Sequence, residues 1–345
     1  MDLSSPNLSI LITNYNQGSF IKECLEAVLK QSWPPMEVIV LDDCSTDNSI
    51  EVIKNFIKHE PLIRLIRHEK NMGMMKTFER ICSEAKGDYI LAVGPDDPIY
   101  PGFYEKSMRM LAQYPQAGLC SAVVQCIDKN GENLFLSPAK PLISKNPCYL
   151  SPEKVLETYL KYGNWYTGTS TILRRDKFLS FGGYSDPGLG SFIDTFRFYQ
   201  LAFNSGVCFI PEVLCAWRIT PGGNSSRSRL DPQVQMGLID RAVNLMRTTC
   251  KDQFPDRFIK DFQRRELATL ANVVFYKMDG DQESSLEFLS QIFSGNNVAD
   301  RIVLFSARLL LGVRNFFLKI YLCIRLKRFN WVFLIRILNY LRRRI

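Results

Sequence analysis

Short apolar blocks and helix-spaced apolar positions alternate through the first hundred residues. Leu8-Ser-Ile-Leu-Ile-Thr13 has the length and composition of a strand. Asn14 to Ser19 is polar and reads as a turn. Phe20, Cys24, Leu25, Val28 and Leu29 then recur at helical spacing, until Trp33-Pro34-Pro35 breaks the pattern. Glu37-Val-Ile-Val-Leu41 predicts a second strand, followed by Asp42-Asp43-Cys44-Ser45-Thr46-Asp47. Asp47 is placed to cap a helix with Ile50, Ile53 and Ile57 on one face. Leu62 to Ile66 predicts a third strand, and Met74, Phe78, Ile81 and Ala85 mark a third helix ended by Gly87. Tyr89 to Val93 is a fourth strand, apolar throughout, as in a parallel sheet covered on both faces.

Beyond Pro101 the pattern is mixed. Gly118 to Val124 reads as a strand and Asp128-Lys-Asn-Gly131 as a hairpin turn. Trp165 to Leu173 is another β-type run, Gly182-Gly183-Tyr184 a turn, and Ser191 to Asn204 a helix. Val207 to Ile210 and Leu214 to Arg218 close this region as two short strands, and residues 221–226 form a polar loop. From Asp231 onward the reading is helical to the end. The division is a domain over 7–226 and a helical region over 227–345 with a basic tail. No internal repeat or low-complexity segment interrupts it.

This order of strands and helices implies parallel strands joined by right-handed crossovers. In such a sheet the ligand crevice lies outside the strand C-termini. Thr13, Asn14, Tyr15, Asp42, Asp43, Asp96 and Asp97 all fall there. The fourth strand ends in Gly94-Pro95 and then two adjacent carboxylates, Asp96 and Asp97. Two acids side by side repel unless a cation or donor groups compensate. A divalent ion with hard oxygen ligands would do so, sharing its shell with substrate phosphates. The plainer alternative is a solvated turn, since Asp and Pro are common there.

Composition narrows the class. The 345 residues are 46% hydrophobic, ample for a large core. Ten cysteines are scattered without a C-x-x-C pair, and the two histidines, His59 and His68, sit in charged segments and are assigned nothing. A zinc site and a disulfide framework are not expected; reduced cytosolic thiols fit the pattern. Met1 to Pro6 has no basic or apolar region, so no secretory signal is expected. The net charge of +8 is uneven: residues 301–345 hold eleven Lys and Arg and no acid, so the first 300 residues carry −3. Within that tail no apolar run approaches the ~20 residues needed to span a bilayer. Arg301, Arg308, Asn315 and Lys319 share one sector of a helical wheel, with Phe305, Leu309, Phe316 and Ile320 in others. Such a helix suits the plane of an anionic membrane surface. The alternative is an appendage packed on the main domain with its bases solvated. No nucleic-acid recognition module is present, so a nucleic-acid partner is not expected.

The chain resembles the family 2 inverting nucleotide-sugar glycosyltransferases of the GT-A fold. The resemblance rests on Ile10-Leu-Ile-Thr-Asn-Tyr-Asn16 with the helix ending Leu29-Lys-Gln-Ser, and on Val38-Ile-Val-Leu-Asp-Asp-Cys-Ser-Thr-Asp-Asn-Ser49, close to the family's V-D-D-G-S-T-D-x-S. Asn71-Met-Gly73, Gly87-Asp-Tyr-Ile90 before the acid pair, and Gly182-Gly-Tyr184 with Asp194 downstream complete it. The resemblance covers roughly residues 7–226. It implies a Rossmann-like, mainly parallel sheet flanked by helices, here with a C-terminal helical extension. It implies that Thr13, Asn14, Tyr15, Asp42 and Asp43 bind a nucleotide-sugar donor, with Thr13, Tyr15 and Asp43 contacting its base and ribose. A carboxylate can accept from an imide N–H, and a tyrosine can stack on the ring. Asp96 and Asp97 would hold Mg²⁺ or Mn²⁺ against the diphosphate, and Asp194 would be the general base that frees an acceptor hydroxyl to attack with inversion.

Three positions depart from the family pattern. Gly94 stands where the metal motif usually begins with Asp; Ile193 precedes Asp194 where an acid pair is usual; Thr220 replaces a His in an R-x-H-x-x-S pattern, leaving Arg218 to steady the diphosphate. Beside these, Lys76 and Arg80 read better as a solvated helix face than as diphosphate contacts, and Trp165 as either a core residue or an acceptor-pocket wall. Asp186 is the second candidate base. The expected function is sugar transfer, with inversion, from a nucleoside-diphosphate donor to a hydroxyl of a lipid-linked glycan, of the kind used in surface polysaccharide assembly. The expected place is the cytoplasmic face of the membrane, peripherally bound. A nucleotide-sugar binding module with weak or no catalysis is the alternative.

Overall fold

The structure, a computed structural model, describes residues 7–138, 143–166, 168–220 and 231–277. It falls into two compact units, residues up to Ser228 with Asp240–Ile259, and Arg229–Ile239 with residues from Lys260 onward. The polar loop over 221–226 and the basic tail over 301–345 lie outside the described residues.

The first half forms as the periodicity dictates. β1 (Leu8–Asn14), β2 (Glu37–Asp42), β3 (Ile63–Arg67) and β4 (Tyr89–Val93) are parallel, in the order β3-β2-β1-β4. Leu8, Ile10 and Ile12 of β1, with Val38, Val40, Leu91 and Val93, point to one face and meet α1 (Gly18–Leu29), α2 (Ser49–Ile57) and α4 (Phe103–Gln113). Ile21, Cys24, Leu25 and Val28 are the buried stripe of α1, at the i, i+3, i+4, i+7 spacing that makes one helical face apolar. Leu11, Ile39, Leu41 and Ile90 point the other way, toward the face flanked by α3 (Met74–Glu84), whose Ile81 and Cys82 are buried. Covering both faces is what an unbroken apolar strand such as Tyr89–Val93 requires.

The second half of the sheet is mixed. β4 pairs antiparallel with β8 (Thr171–Arg174), β8 antiparallel with β5 (Leu119–Ile127), and β5 parallel with β9 (Val207–Arg218). β6 (Asn133–Ser137) hangs from β5, and β7 (Cys148–Leu150) closes the edge on β9. The remaining helices of this half are α5 (Pro152–Tyr162), α6 (Arg175–Ser180) and α7 (Ile193–Ser205). Rings of Tyr159, Tyr199, Phe203, Phe254 and Phe258 interlock beside α7 as a second core.

Three expectations shift. The third strand starts at Ile63 rather than Leu62. The run from Trp165 is a strand only from Thr171; Gly168–Ser170 is a 3-10 turn, and Trp165 and Tyr166 owe their apolar character to burial in the aromatic core rather than to pairing. The two short strands near 207–218 are one strand with a bulge, because Pro211 lacks a donor and Glu212 and Val213 face solvent.

Candidate active site

β1 lies between β2 and β4, so Thr13–Tyr15, Asp42–Asp43 and Asp96–Asp97 leave one sheet edge side by side. This is the point at which strand order reverses, where open α/β sheets bind ligands.

The loops after β1 and β2 are laced together. Asn14 Nδ2 donates to Asp42 Oδ2 at 2.8 Å and to Ser45 Oγ at 3.1 Å. Ser45 returns its N–H to Asp42 Oδ1 at 2.9 Å and its hydroxyl to Oδ2 at 2.5 Å. Asn16 N donates to Ser45 Oγ, and Asn16 Oδ1 accepts from Thr46 N. Asp47 accepts from Gly18 N at 2.8 Å and Ser49 N at 3.0 Å, tying the starts of both helices together although Asn48 is the formal cap of α2. Cys44 stands where the family motif has glycine and keeps the left-handed backbone that glycine favours, φ 66°. Tyr15 projects from this frame, 48% exposed, as a stacking surface.

Asp43 is spent partly on the next loop. His68 Nδ1 lies 2.8 Å from its Oδ1, Met72 N donates to the same oxygen at 2.7 Å, and Gly73 N donates to Oδ2 at 2.9 Å. Burial pushes the Asp43 pKa up, but the Met72, His68 and Gly73 hydrogen bonds outweigh it and hold the carboxyl below its usual range. The Asn71-Met-Gly73 turn is thus fastened by Asp43. His68, assigned nothing from sequence, is buried against it.

The acids after β4 are in the opposite condition. Asp97 Oδ1 accepts from Arg218 N at 2.9 Å and Oδ2 from Thr169 Oγ1 at 2.6 Å. Burial, then the negative charge of Asp96, push the Asp97 pKa up to about 7 against those donors. Asp96 is raised as well, chiefly by burial. Both carboxylates fold back over Gly94: a Cβ there would sit 3.1 Å from Asp97 Oδ2 and 3.2 Å from Asp96 Oδ1. The pair is short of positive charge and built of hard oxygens, so it fits a divalent ion that takes its other ligands from a diphosphate. No group of three or more His, Cys, Asp or Glu gathers anywhere among the described residues, so the protein would supply two ligands. Arg218 braces the turn: Nε donates to Asp96 O at 3.0 Å, Nη1 to the carbonyls of Asp128 and Lys129, and the guanidinium lies 5.2 Å from the Phe20 ring centre.

Asp194 opens α7 and is brought to the same place by the 3-10 turn. A Cβ on Gly168 would be 3.1 Å from Asp194 Oδ2, while the next residue, Thr169, holds Asp97. Burial raises the Asp194 pKa; a hydrogen bond from the Tyr184 hydroxyl opposes it. Tyr184 is fixed in turn between Phe78 and Phe178, each ring centre 5.0 Å away. The second candidate, Asp186, is occupied: it accepts from Gly188 N at 3.0 Å and pairs with Arg241 at 3.4 Å. Trp165 is a core residue, 1% exposed, packed on Tyr166 and Phe209. Lys76 and Arg80 are exposed on α3.

The structure therefore gathers Thr13, Asn14, Tyr15, Asp42, Asp43, Asp96, Asp97 and Arg218 at one sheet edge, with Asp194 joined to them through the Gly168–Ser170 turn. Sequence reasoning gives no role to Thr169, Tyr184 or His68: Tyr184 stands within the Gly182-Gly-Tyr184 motif, Thr169 lies inside the β-type run from Trp165, and His68 is assigned nothing, because a lone hydroxyl or imidazole carries no pattern of its own.

Comparison with known proteins agrees with this picture. Residues 9–178 match the family model described as Glycosyl transferase family 2. The chain is 37% identical over 107 residues to the uncharacterized glycosyltransferase YibD of Escherichia coli K12, covering 31% of each chain. It is 35% identical over 98 residues to the glycosyltransferase GlyG of Streptococcus pneumoniae, covering 28% of this chain and 33% of that one. The matches span about a third of the length of these two relatives. Residues 1–349 of S. aureus TarS, solved in complex with UDP-GlcNAc, share the fold with a TM-score of 0.61 at 14% identity, over 92% of this chain and 91% of that one.

Proposed function

From the match of residues 9–178 to the glycosyl transferase family 2 model, we propose that this chain moves a sugar from a nucleoside-diphosphate donor to a hydroxyl of a glycan acceptor, with inversion. The observation that carries the reading is the Gly168–Thr169 turn, which places the Asp96–Asp97 pair and Asp194 on its two sides. One side can hold the leaving diphosphate and the other can take the acceptor's proton.

The donor lies across the strand ends in this reading. Tyr15 stacks on the base, Thr13 and Asp43 contact base and ribose, and Asn14 and Asp42 keep the two loops in register. Asp96 and Asp97 hold a Mg²⁺ or Mn²⁺ ion, which when bound neutralises charge on the departing diphosphate. Arg218 acts from behind, fixing the backbone of Asp96 and the orientation of Asp97. Asp194 accepts the proton of the acceptor hydroxyl while its oxygen bonds to the anomeric carbon and the bond to the diphosphate breaks. The burial that raises the Asp194 pKa strengthens it as a base, and the Tyr184 hydroxyl keeps it oriented. One displacement inverts the anomeric centre without a covalent intermediate.

The acceptor is proposed to be lipid-linked, with the basic tail of 301–345 bringing the chain to the inner face of an anionic membrane. The charge asymmetry of the sequence supports this. No helix among the described residues is long and apolar enough to cross a membrane. Vesicle co-sedimentation of the full chain and one lacking 301–345 tests it; equal partitioning contradicts it.

Gly94 favours a second reading, a binding module without turnover, because it removes an acid common at that place in the family. The discriminating experiment is release of nucleoside diphosphate from a panel of nucleotide sugars with Mn²⁺. Metal-dependent release that disappears in Asp194→Asn supports transfer. Binding without any release supports the second reading.

A further inference from the structure

His68 ends a chain of contacts that the transfer reading leaves unused. It lies just after β3, 7% exposed, with Nδ1 at 2.8 Å from Asp43 Oδ1. An ionised carboxylate only accepts, so Nδ1 carries the proton and donates. Met72 N fills the other position on Oδ1, at 2.7 Å, and Gly73 N takes one on Oδ2, at 2.9 Å. A carboxylate offers about four lone-pair positions. Oδ1 is full and Oδ2 keeps one. The side chain retains 6% of its surface, so a single edge is open.

We infer that His68 is a positioning residue for base selection: by filling Asp43 Oδ1 it leaves one acceptor position, which suits a base that presents a single imide N–H, as uracil and thymine do. This rests on the reading that Asp43 faces the donor base. Guanine presents N1–H and its amino group together and needs two neighbouring acceptors. Cytosine presents a ring-nitrogen lone pair at the same place, which would face the Asp43 lone pair. A buried polar group left without its partner weakens binding by roughly ten- to a hundredfold. Without the His68 donor, Oδ1 would offer a second position and the carboxylate could rotate, so the distinction would fade.

Calorimetric titration of the full chain with UDP, dTDP, CDP and GDP, each with Mn²⁺, tests this. The expected result is UDP and dTDP binding at least about tenfold more tightly than CDP and GDP. His68→Phe should collapse that discrimination while binding of inorganic pyrophosphate with Mn²⁺ stays unchanged, and His68→Asn, which keeps an N–H donor, should restore it. A purely structural histidine would weaken all four nucleotides together, and that result overturns the inference, as does unchanged discrimination in His68→Phe. Wild-type CDP or GDP binding as tight as UDP overturns it while leaving the donor reading intact, and requires no variant to fold. Binding of none of the four removes both.

Discussion

Asp42 and Asp43 leave β2 at the sheet edge where Asp96 and Asp97 follow β4, yet the two pairs are held differently. Asp42 is fully buried and accepts from Asn14 and twice from Ser45; Asp43 accepts from His68, Met72 and Gly73. These acids are matched by donors within the protein, and the Asp43 carboxyl is held low. Asp97 has two donors of its own, but burial and the neighbouring Asp96 outweigh them, and its pKa stands at about 7. Asp194, across the turn, is raised too. The first pair is held by the protein's own donors, with one edge of Asp43 left open to the cleft, and the second is short of positive charge. Acids left short of charge in a cleft are where an ion and a proton have work to do.

The largest effect that sharpens this contrast is at Asp194. Asp194→Asn keeps size and removes basicity, so transfer should fall by ~10²-fold or more with nucleotide affinity unchanged. Nucleoside diphosphate release and calorimetry read the two quantities separately; wild-type release by the variant would move the base elsewhere.

Stability should respond in the other region. Asp42→Asn turns one acceptor oxygen of a closed network into a donor that meets the donors of Asn14 and Ser45. It should cost roughly 2–4 kcal/mol in denaturant unfolding. A loss no larger than that of a surface substitution would show that the network is dispensable.

A smaller effect comes from pH. Asp97 is raised in the folded chain, so the native state binds more protons than the unfolded state between the ordinary Asp pKa of about 3.9 and the folded value of about 7. Stability without metal should therefore fall as pH rises through that window and level off above it. The change should be about 1–2 kcal/mol once solvent screening at the part-exposed site is allowed for. Asp97→Asn should flatten this part of the profile, measured by thermal midpoints in EDTA. Asp43 has the opposite sign: its contribution is present above the unfolded value and is lost as pH falls through its lowered folded value. The smallest effect is at Cys44, whose left-handed backbone should make Cys44→Gly neutral or stabilising by about 1 kcal/mol or less.

The same contrast governs what could be read from the sequence. The parallel half was legible because each strand is an apolar block and each helix has one apolar stripe, as in Tyr89–Val93 and α1. The motif acids were legible because parallel topology sends every strand end to one edge. In the second half, period and burial part company. The run from Trp165 is apolar because its aromatics sit in a core, and the strand interrupted at Pro211 reads as two. α5 went unread in the sequence, although Ser151-Pro152 carries its start: the serine side chain accepts from Lys154 N and the proline occupies the first turn. The link from Asp97 through Thr169 and Gly168 to Asp194 joins residues almost a hundred positions apart through a hydroxyl and an absent side chain. His68 was passed over because its neighbours in sequence are charged, while its neighbours in space are Asp43 and the Asn71–Gly73 turn.

The central claim is that the Asp96–Asp97 pair, and not the Asp42–Asp43 pair, is completed by a divalent ion together with a nucleoside diphosphate. Titration of the full chain with Mn²⁺, followed by electron paramagnetic resonance with and without UDP, tests it most directly. The account predicts that UDP tightens Mn²⁺ binding in the wild-type chain and in Asp43→Asn, and that Asp96→Ala and Asp97→Ala each abolish the effect. Mn²⁺ binding with UDP that is unchanged in both alanine variants would contradict it.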